Sequence, residues 1–178
     1  MVKVLMNRAK LSEFKTDRLE LRQMTPEEWQ DFLDHVIAAD ECFLTFGSEK
    51  SDELLEEIKK PFYAQVVYYT IHLPKTDQMI GYVGYNVAIA HIEYYIFKDY
   101  RRLGYAYEAV ASLMDKLLDG SLLGDPVGEI RAWIVLNNMP SEQLLLKLGF
   151  HETGLGLYYD NTIGRNFSYS KEEEEVSA

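Results

Sequence analysis

The chain of 178 residues carries a formal net charge of -11 and a sequence pI of about 4.8, which excludes a general nucleic-acid binder, because phosphate contacts need a basic face. Hydrophobic residues make up 47% and aromatics 13%, enough to bury one sizeable core and unlike the composition of a disordered chain. Cys42 is the only cysteine, so an internal disulfide is excluded, and no run approaches the roughly 20 apolar residues of a membrane span.

These bounds lead to the expectation of one domain over residues 1–170, in a reducing, cytoplasmic setting and away from membranes. The start "MVKVLMNRAKLSEF" is basic but lacks the apolar run of a signal peptide, and the end "KEEEEVSA" reads as a solvated acidic tail over 171–178. An acidic surface favours cationic partners, although solubility alone explains such a charge equally well.

In chain order, "RLELRQM" sets Leu19 and Leu21 against Glu20 and Arg22, the period of a half-buried strand. It ends at "TPEEW", where Thr25 can cap a helix, Pro26 suits its first position and Glu28 completes a capping box. The helix is predicted to run to about Ala39, with Trp29, Phe32, Leu33, Val36 and Ile37 on one stripe. A second, short helix is predicted from Ser51 to about Lys60, before Pro61. From Gln65 the period becomes that of strands: "VVYYTIHL" and "MIGYVGYNVAI" flank the turn-rich "PKTDQ" and predict an antiparallel hairpin, followed by a strand over "HIEYYIF". Beyond it lie the loop "KDYRRLGYA", a helix from about Tyr105 to Leu118, a strand over "EIRAWIVL", a helix over "PSEQLLLKL" and two closing strands around "YYDNTIGRNFSYS". Strands first in a meander and later joined through helices predict a mixed α/β sheet with helices packed on it.

The loop raises a chemical question of its own. A strand that enters a helix through a short glycine-containing turn aims several main-chain N–H groups at one spot, where the helix dipole adds positive potential. Gly104 lets the main chain approach a bulky anion, Ala106 leaves room beside the first turn, and Arg101 and Arg102 bring charge-assisted hydrogen bonds. The same residues would also serve an ordinary tight loop with solvated arginines. Neither the mononucleotide nor the dinucleotide glycine-loop signature is present.

Three ordered blocks carry a resemblance. "RRLGYA" is similar to the R/Q-x-x-G-x-G/A motif of the GNAT superfamily of N-acetyltransferases, "AWIVLNNMPSEQLLLKLGF" to its later A…N-x-x-S…G-F block, and "TDRLELRQMTPEEW" to the start of the ribosomal-protein N-acetyltransferase (RimJ/RimL) branch. The resemblance covers about Lys15 to Ser170. It implies a twisted mixed sheet of about seven strands with about four helices, in which the fourth and fifth strands, here "HIEYYIF" and "EIRAWIVL", splay apart. It further implies acetyl-CoA as co-substrate and no metal, with main-chain groups at Ile96 and Phe97 on the pantetheine arm and Arg101, Arg102, Leu103, Gly104, Tyr105 and Ala106 around the diphosphate. Asn138 would orient cofactor or acceptor.

The implied reaction is direct attack of a primary amine, at a protein or peptide N-terminus or on a small molecule, on the acetyl thioester. Such an amine is mostly protonated at neutral pH and needs a base. Glu93 is the candidate base and Ser141 a candidate proton donor. The sequence departs from the branch in two places: "HIEY" puts His91 where the branch has an acid, and Leu145 stands where many members carry a tyrosine acid. These departures keep open a second reading, a CoA-binding module without turnover. Tyr68, Tyr69, Tyr82, Tyr85, Tyr94 and Tyr95 read as sheet residues, some of which could line an acceptor pocket, and Cys42 reads as structural. A cationic acceptor and a homodimer complete the expected partners.

Overall fold

Eight strands form one sheet in the order β1-β2-β3-β4-β5-β6-β8-β7 in the computed structural model, which describes residues 9–39, 66–157 and 162–171. The elements are β1 (Glu13–Lys15), β2 (Glu20–Gln23), α1 (Pro26–Ala38), β3 (Val66–Leu73), β4 (Gln78–Asn86), β5 (His91–Ile96), α2 (Tyr105–Leu118), β6 (Glu129–Val135), α3 (Met139–Lys147), β7 (His151–Leu157) and β8 (Ile163–Ser170). The expected helix at Ser51–Lys60, Cys42 and the tail beyond residue 171 lie outside the described residues.

The mixed α/β architecture agrees with the sequence, with small differences of count: eight strands rather than about seven, and three α-helices among the described residues. The added strand is β1, too short at three residues to show a period, and it is held by pairing Phe14 with Leu21 of β2. Strand β4 also stops at Asn86, earlier than its apolar run, because the chain turns over 87–90 and Ala90 takes a left-handed φ of 57°.

Helix α1 starts as its sequence dictates. The Thr25 hydroxyl accepts from the Glu28 N–H at 3.2 Å and the Glu28 carboxylate accepts from the Thr25 N–H at 2.8 Å, closing the capping box. Its inner stripe of Phe32, Leu33 and Val36 packs on Tyr68, Tyr82 and Tyr95 from β3, β4 and β5. The opposite face of the sheet forms the larger core, where Tyr69, Ile71, Val83, Ile92 and Ile130 meet Ala109, Val110, Leu113 and Leu117 of α2. Each fully buried leucine or isoleucine there contributes about 1.5–3 kcal/mol.

The sheet is unevenly knit. Strand β5 keeps six registered pairs with β4, and β6 keeps seven with β8, whereas β5 and β6, which run parallel, share only His91↔Arg131. Beyond that pair the two strands part, and a wedge opens toward Ile96 and Val135 at the end of the sheet where the chain enters α2 and α3.

Candidate active site

The loop from β5 into α2 begins with a 3-10 turn over Lys98–Tyr100 and ends on Gly104, whose φ of 83° is left-handed and therefore suits glycine. Arg102 is also left-handed, at φ 64°. The first intrahelical bond runs from the Glu108 N–H to the Gly104 carbonyl at 3.1 Å, so the N–H groups of Tyr105, Ala106 and Tyr107 precede the helical ladder. Helices α1 and α3 have side-chain caps, from Thr25 and from Asn138, but α2 has none. An uncapped helix start behind a glycine leaves N–H groups and positive dipole for an external anion. The residues present fit the diphosphate of CoA.

That loop is braced from an unexpected quarter. Arg18 sends Nη1 to the Leu103 carbonyl at 2.9 Å, while its Nε and Nη2 reach Glu108 Oε2, both at 2.6 Å. Its main-chain N–H and the Thr16 hydroxyl donate to Glu108 Oε1. Burial raises the Glu108 pKa, but the bonds from Thr16 and Arg18 outweigh it and hold the carboxyl below its ordinary value. The "TDR" near the start of the chain therefore fastens the first turn of α2.

The two loop arginines do different things. Arg101 turns back, its Nε donating to the Ile96 carbonyl at 2.8 Å and its guanidinium lying 5.2 Å from the centre of the Tyr95 ring. Arg102 is exposed at the mouth of the loop, as is Leu103. Along β5, the Phe97 N–H donates to the Ile80 carbonyl at 2.8 Å, so that group faces β4 and not the wedge. By the alternation of an antiparallel ladder it is Tyr94 and Ile96 whose main-chain groups turn to the wedge. The Phe97 ring lies on the α1 side, stacked on His35 at 3.8 Å.

Glu93 faces the α1 side. Its Oε2 accepts from the Tyr68 hydroxyl at 2.8 Å, and its pKa is pushed up to about 7 by burial, with the Tyr68 bond pulling the other way. A carboxylate poised near neutrality suits a general base. Two residues earlier on the same face, His91 lines a cavity of about 450 Å³ together with Glu129, Arg131, Thr153, Asn166 and Ser168. Burial lowers the His91 pKa to about 4, and its Nε2 has no hydrogen-bond partner among the described residues. The carboxylate of Glu129 is held by Ser168 Oγ at 2.6 Å and by Arg131 at 2.7 Å.

On the α2 side of the wedge stands the start of α3. The Asn138 amide oxygen accepts from the Ser141 N–H at 3.3 Å, so Asn138 acts here as a helix cap. The Tyr94 phenol is buried without a hydrogen-bond partner among the described residues, and burial raises its pKa to about 12, with nearby Ser141 pulling it part of the way back. Leu145 is fully buried in the main core, which makes it a packing residue.

The structure thus brings Ile96, Arg102, Leu103, Gly104, Tyr105 and Ala106 to the mouth of the wedge and Glu93 and Ser141 to opposite faces of the sheet beside it. Sequence reasoning missed Tyr68, which reads as one sheet tyrosine among several, and the Thr16–Arg18–Glu108 brace. The only sequence signal for the brace is the "TDRL" run.

The acetyltransferase (GNAT) domain family model matches residues 18–151. The chain is 27% identical over 153 residues to the uncharacterized N-acetyltransferase YoaA of Bacillus subtilis (strain 168), covering 79% of this chain and 84% of that one. Its fold is similar to that of the ribosomal-protein-S5-alanine acetyltransferase from Vibrio fischeri, with a TM-score of 0.67 at 16% identity, over 90% of this chain and 97% of that one. It is also similar to the spermidine N-acetyltransferase from Vibrio cholerae solved with CoA and spermine, with a TM-score of 0.68 at 15% identity, over 88% and 98% of the two chains. With a family model spanning most of its length and a wedge that opens beside an uncapped, glycine-led helix, the chain belongs to the GNAT family of acetyltransferases.

Proposed function

We propose that this N-acetyltransferase moves the acetyl group of acetyl-CoA onto a primary amine by direct attack, with Glu93 as base. The observation that carries the reading is Glu93 itself: a half-buried carboxyl on the strand that borders the wedge, bonded to the Tyr68 hydroxyl and raised by burial to a pKa of about 7. Acetyl-CoA, when bound, supplies an activated acyl group on a thiolate leaving group.

The residues divide the remaining work. The N–H groups of Tyr105 and Ala106, the open backbone at Gly104 and the Arg102 side chain would hold the diphosphate. The Ile96 N–H would meet the pantetheine arm as a neighbouring strand does, with Arg101 bracing that strand end through the Ile96 carbonyl. Glu93 would take one proton from the acceptor ammonium, leaving a neutral amine whose nitrogen bonds to the acyl carbon as the carbon–sulfur bond breaks and whose second surplus proton then passes to solvent. Ser141, beside the Tyr94 phenol, would pass a proton to the departing sulfur as it regains one from solvent. Asn138 would hold Ser141 in place by capping α3.

For the acceptor, the fold neighbours act on a ribosomal protein and on spermidine, and a chain with a net charge of -11 suits either kind of cationic amine. A soluble, cytoplasmic enzyme is our reading of the setting; no helix among the described residues is long and apolar enough to cross a membrane. A second reading, a CoA-binding module without turnover, draws on Leu145, which packs in the core at the position where relatives often carry a tyrosine.

Calorimetric titration with acetyl-CoA, followed by release of free thiol on adding peptide and polyamine acceptors, tests both readings. We expect saturable binding, amine-dependent thiol release, and loss of both in Gly104→Val with the far-ultraviolet circular dichroism unchanged. Binding without release from any amine would favour the module, and unaltered binding by Gly104→Val would refute the anion cradle.

A further inference from the structure

Three residues stand in register across β3, β4 and β5: Tyr68 pairs with Gly84, and Gly84 pairs with Glu93. Paired residues share a face of the sheet, so a side chain at position 84 would separate the phenol from the carboxylate. A Cβ placed on Gly84 would lie 2.4 Å from Cδ1 and 2.7 Å from Cε1 of the Tyr68 ring, closer than such atoms can approach. The ring therefore lies across β4 in the space that glycine leaves, and its hydroxyl reaches Glu93 Oε2 at 2.8 Å. From above, Trp29 of α1 stacks on the same ring, centroids 5.2 Å apart and planes within 23°. Tyr82 meets it edge-on at 5.4 Å.

We infer that Tyr68, seated on Gly84 and pressed down by Trp29, is a positioning residue for the Glu93 base: it fixes one carboxylate oxygen and leaves the other for the acceptor amine. This inference rests on the proposed role of Glu93 and extends it to residues outside the cofactor motifs. Helix α1 thereby gains a place in the chemistry, because it holds the ring that holds the base.

Among the described residues, the other titratable and charged groups on this side of the sheet act elsewhere, Arg101 on the Ile96 carbonyl and the Tyr95 ring. Tyr82 and Tyr95 pack against Phe32. His91 is neutral at physiological pH, and Arg131 is tied to Glu129. On α1, His35 stacks on Phe97, and Glu28 lies by Thr70 and His72. Burial and the Tyr68 hydroxyl are the influences that set the Glu93 carboxyl. A donated hydrogen bond favours the ionised form, so Tyr68 holds the base lower than burial alone would.

The test follows the Glu93 carboxyl directly, by ¹³C NMR titration of protein labelled at glutamate Cδ, with Glu93→Gln identifying the resonance, alongside the pH profile of kcat/KM. Tyr68→Phe keeps the ring and removes only the hydroxyl; the Glu93 titration and the rising limb of the rate profile should both move up by about one pH unit. Gly84→Ala should produce the same upward movement by displacing the ring, and the double variant should move no further than either single one. An unmoved Glu93 titration in Tyr68→Phe overturns the inference, as does a rate that falls equally at every pH. Movement of the NMR titration without movement of the rate limb would show that Glu93 is bonded to Tyr68 but is not the base, which also overturns it. If wild-type protein released no thiol with any amine, the transferase reading itself would fail. That failure is distinguishable, because the NMR titration does not depend on turnover.

Discussion

At Glu93, two forces of opposite sign meet in one carboxyl. Burial disfavours the charge and lifts the pKa to about 7, while the Tyr68 hydroxyl favours it. Below the unfolded value near 4.5 the group is neutral in both states and costs nothing. As pH rises from there the unfolded chain ionises first, so stability is lost progressively until the folded carboxyl also ionises near pH 7. Replacing it removes that loss: Glu93→Gln should match wild type below about pH 4.5 and gain up to about 3 kcal/mol by pH 8. His91 works in the other direction, since its folded pKa is depressed to about 4 and stability falls as pH drops from about 6.5. The windows overlap, so the informative quantity is the difference between wild type and variant in urea midpoint from pH 4 to 8. A difference that stays flat would mean that Glu93 is not desolvated.

The Tyr68–Glu93 bond also marks where sequence reading stops. The "PKTDQ" turn places Leu73 against Gln78, and carrying that register inward would set Tyr68 opposite Val83. The strand instead holds an extra residue, Ile80, between the Met79 and Gly81 pairs, and this bulge shifts the partner of Tyr68 to Gly84. One residue of slip moves a side chain to the other face of a strand. Without the bulge Tyr68 and Glu93 would lie on opposite sides of the sheet, and nothing in the alternation of "VVYYTIHL" announces it.

Among the elements, α2 is anchored at the end where its dipole is most exposed. Its glycine and the small Ala106 are legible in sequence as the makings of the proposed anion cradle because they are local chemistry. The brace beneath them is long-range: Thr16 and Arg18 reach Glu108 across about ninety positions of sequence, a pairing that only the fold creates. Glu108→Ala would leave the Arg18 guanidinium and the Thr16 hydroxyl without this partner, and we expect a loss of about 1–3 kcal/mol in folding stability. Because Arg18 also holds the Leu103 carbonyl, the loop should loosen, and acetyl-CoA affinity should drop by about tenfold, roughly 1.4 kcal/mol, although Glu108 is not among the residues proposed to hold it. Denaturant unfolding and calorimetry on the same preparation measure both. Full affinity in a destabilised variant would show that the brace serves folding alone.

Arg101 belongs to the same element scale. Sequence places it with Arg102 as a paired cationic clamp, yet its Nε is engaged by the Ile96 carbonyl. Truncating Arg102 should therefore weaken binding of CoA more than that of dephosphorylated pantetheine, because its exposed charge can act on the diphosphate. Arg101→Ala should weaken both, through the strand end that it braces. Competition binding with the two compounds separates the roles, and equal losses for Arg102→Ala would contradict its assignment to the diphosphate.

Over the whole molecule, the sheet is two sheets joined at one point. Strands β1–β5 are continuous, β6–β8 are continuous, and between them only His91↔Arg131 is registered. Alternation and helical period make the strands and helices legible in sequence, but not that the last two strands insert in the order β6-β8-β7 or that β5 and β6 part after one pair. The parting leaves main-chain groups of β5 without a strand partner, a cost that a ligand lying in the wedge would recover from both sides. A ligand that binds the folded state alone at a hundred times its Kd stabilises by about 2.7 kcal/mol, which for a chain of this size is a rise in melting temperature of roughly 5–10 °C. We expect that rise with acetyl-CoA. Pantetheine alone should give little of it, because the cradle at Gly104 stays empty, and 3′,5′-ADP alone should give little, because the wedge does. Differential scanning calorimetry over the three ligands at matched concentrations decides it: a full rise from 3′,5′-ADP alone would show that the cradle, and not the joining of the two half-sheets, carries the stabilisation.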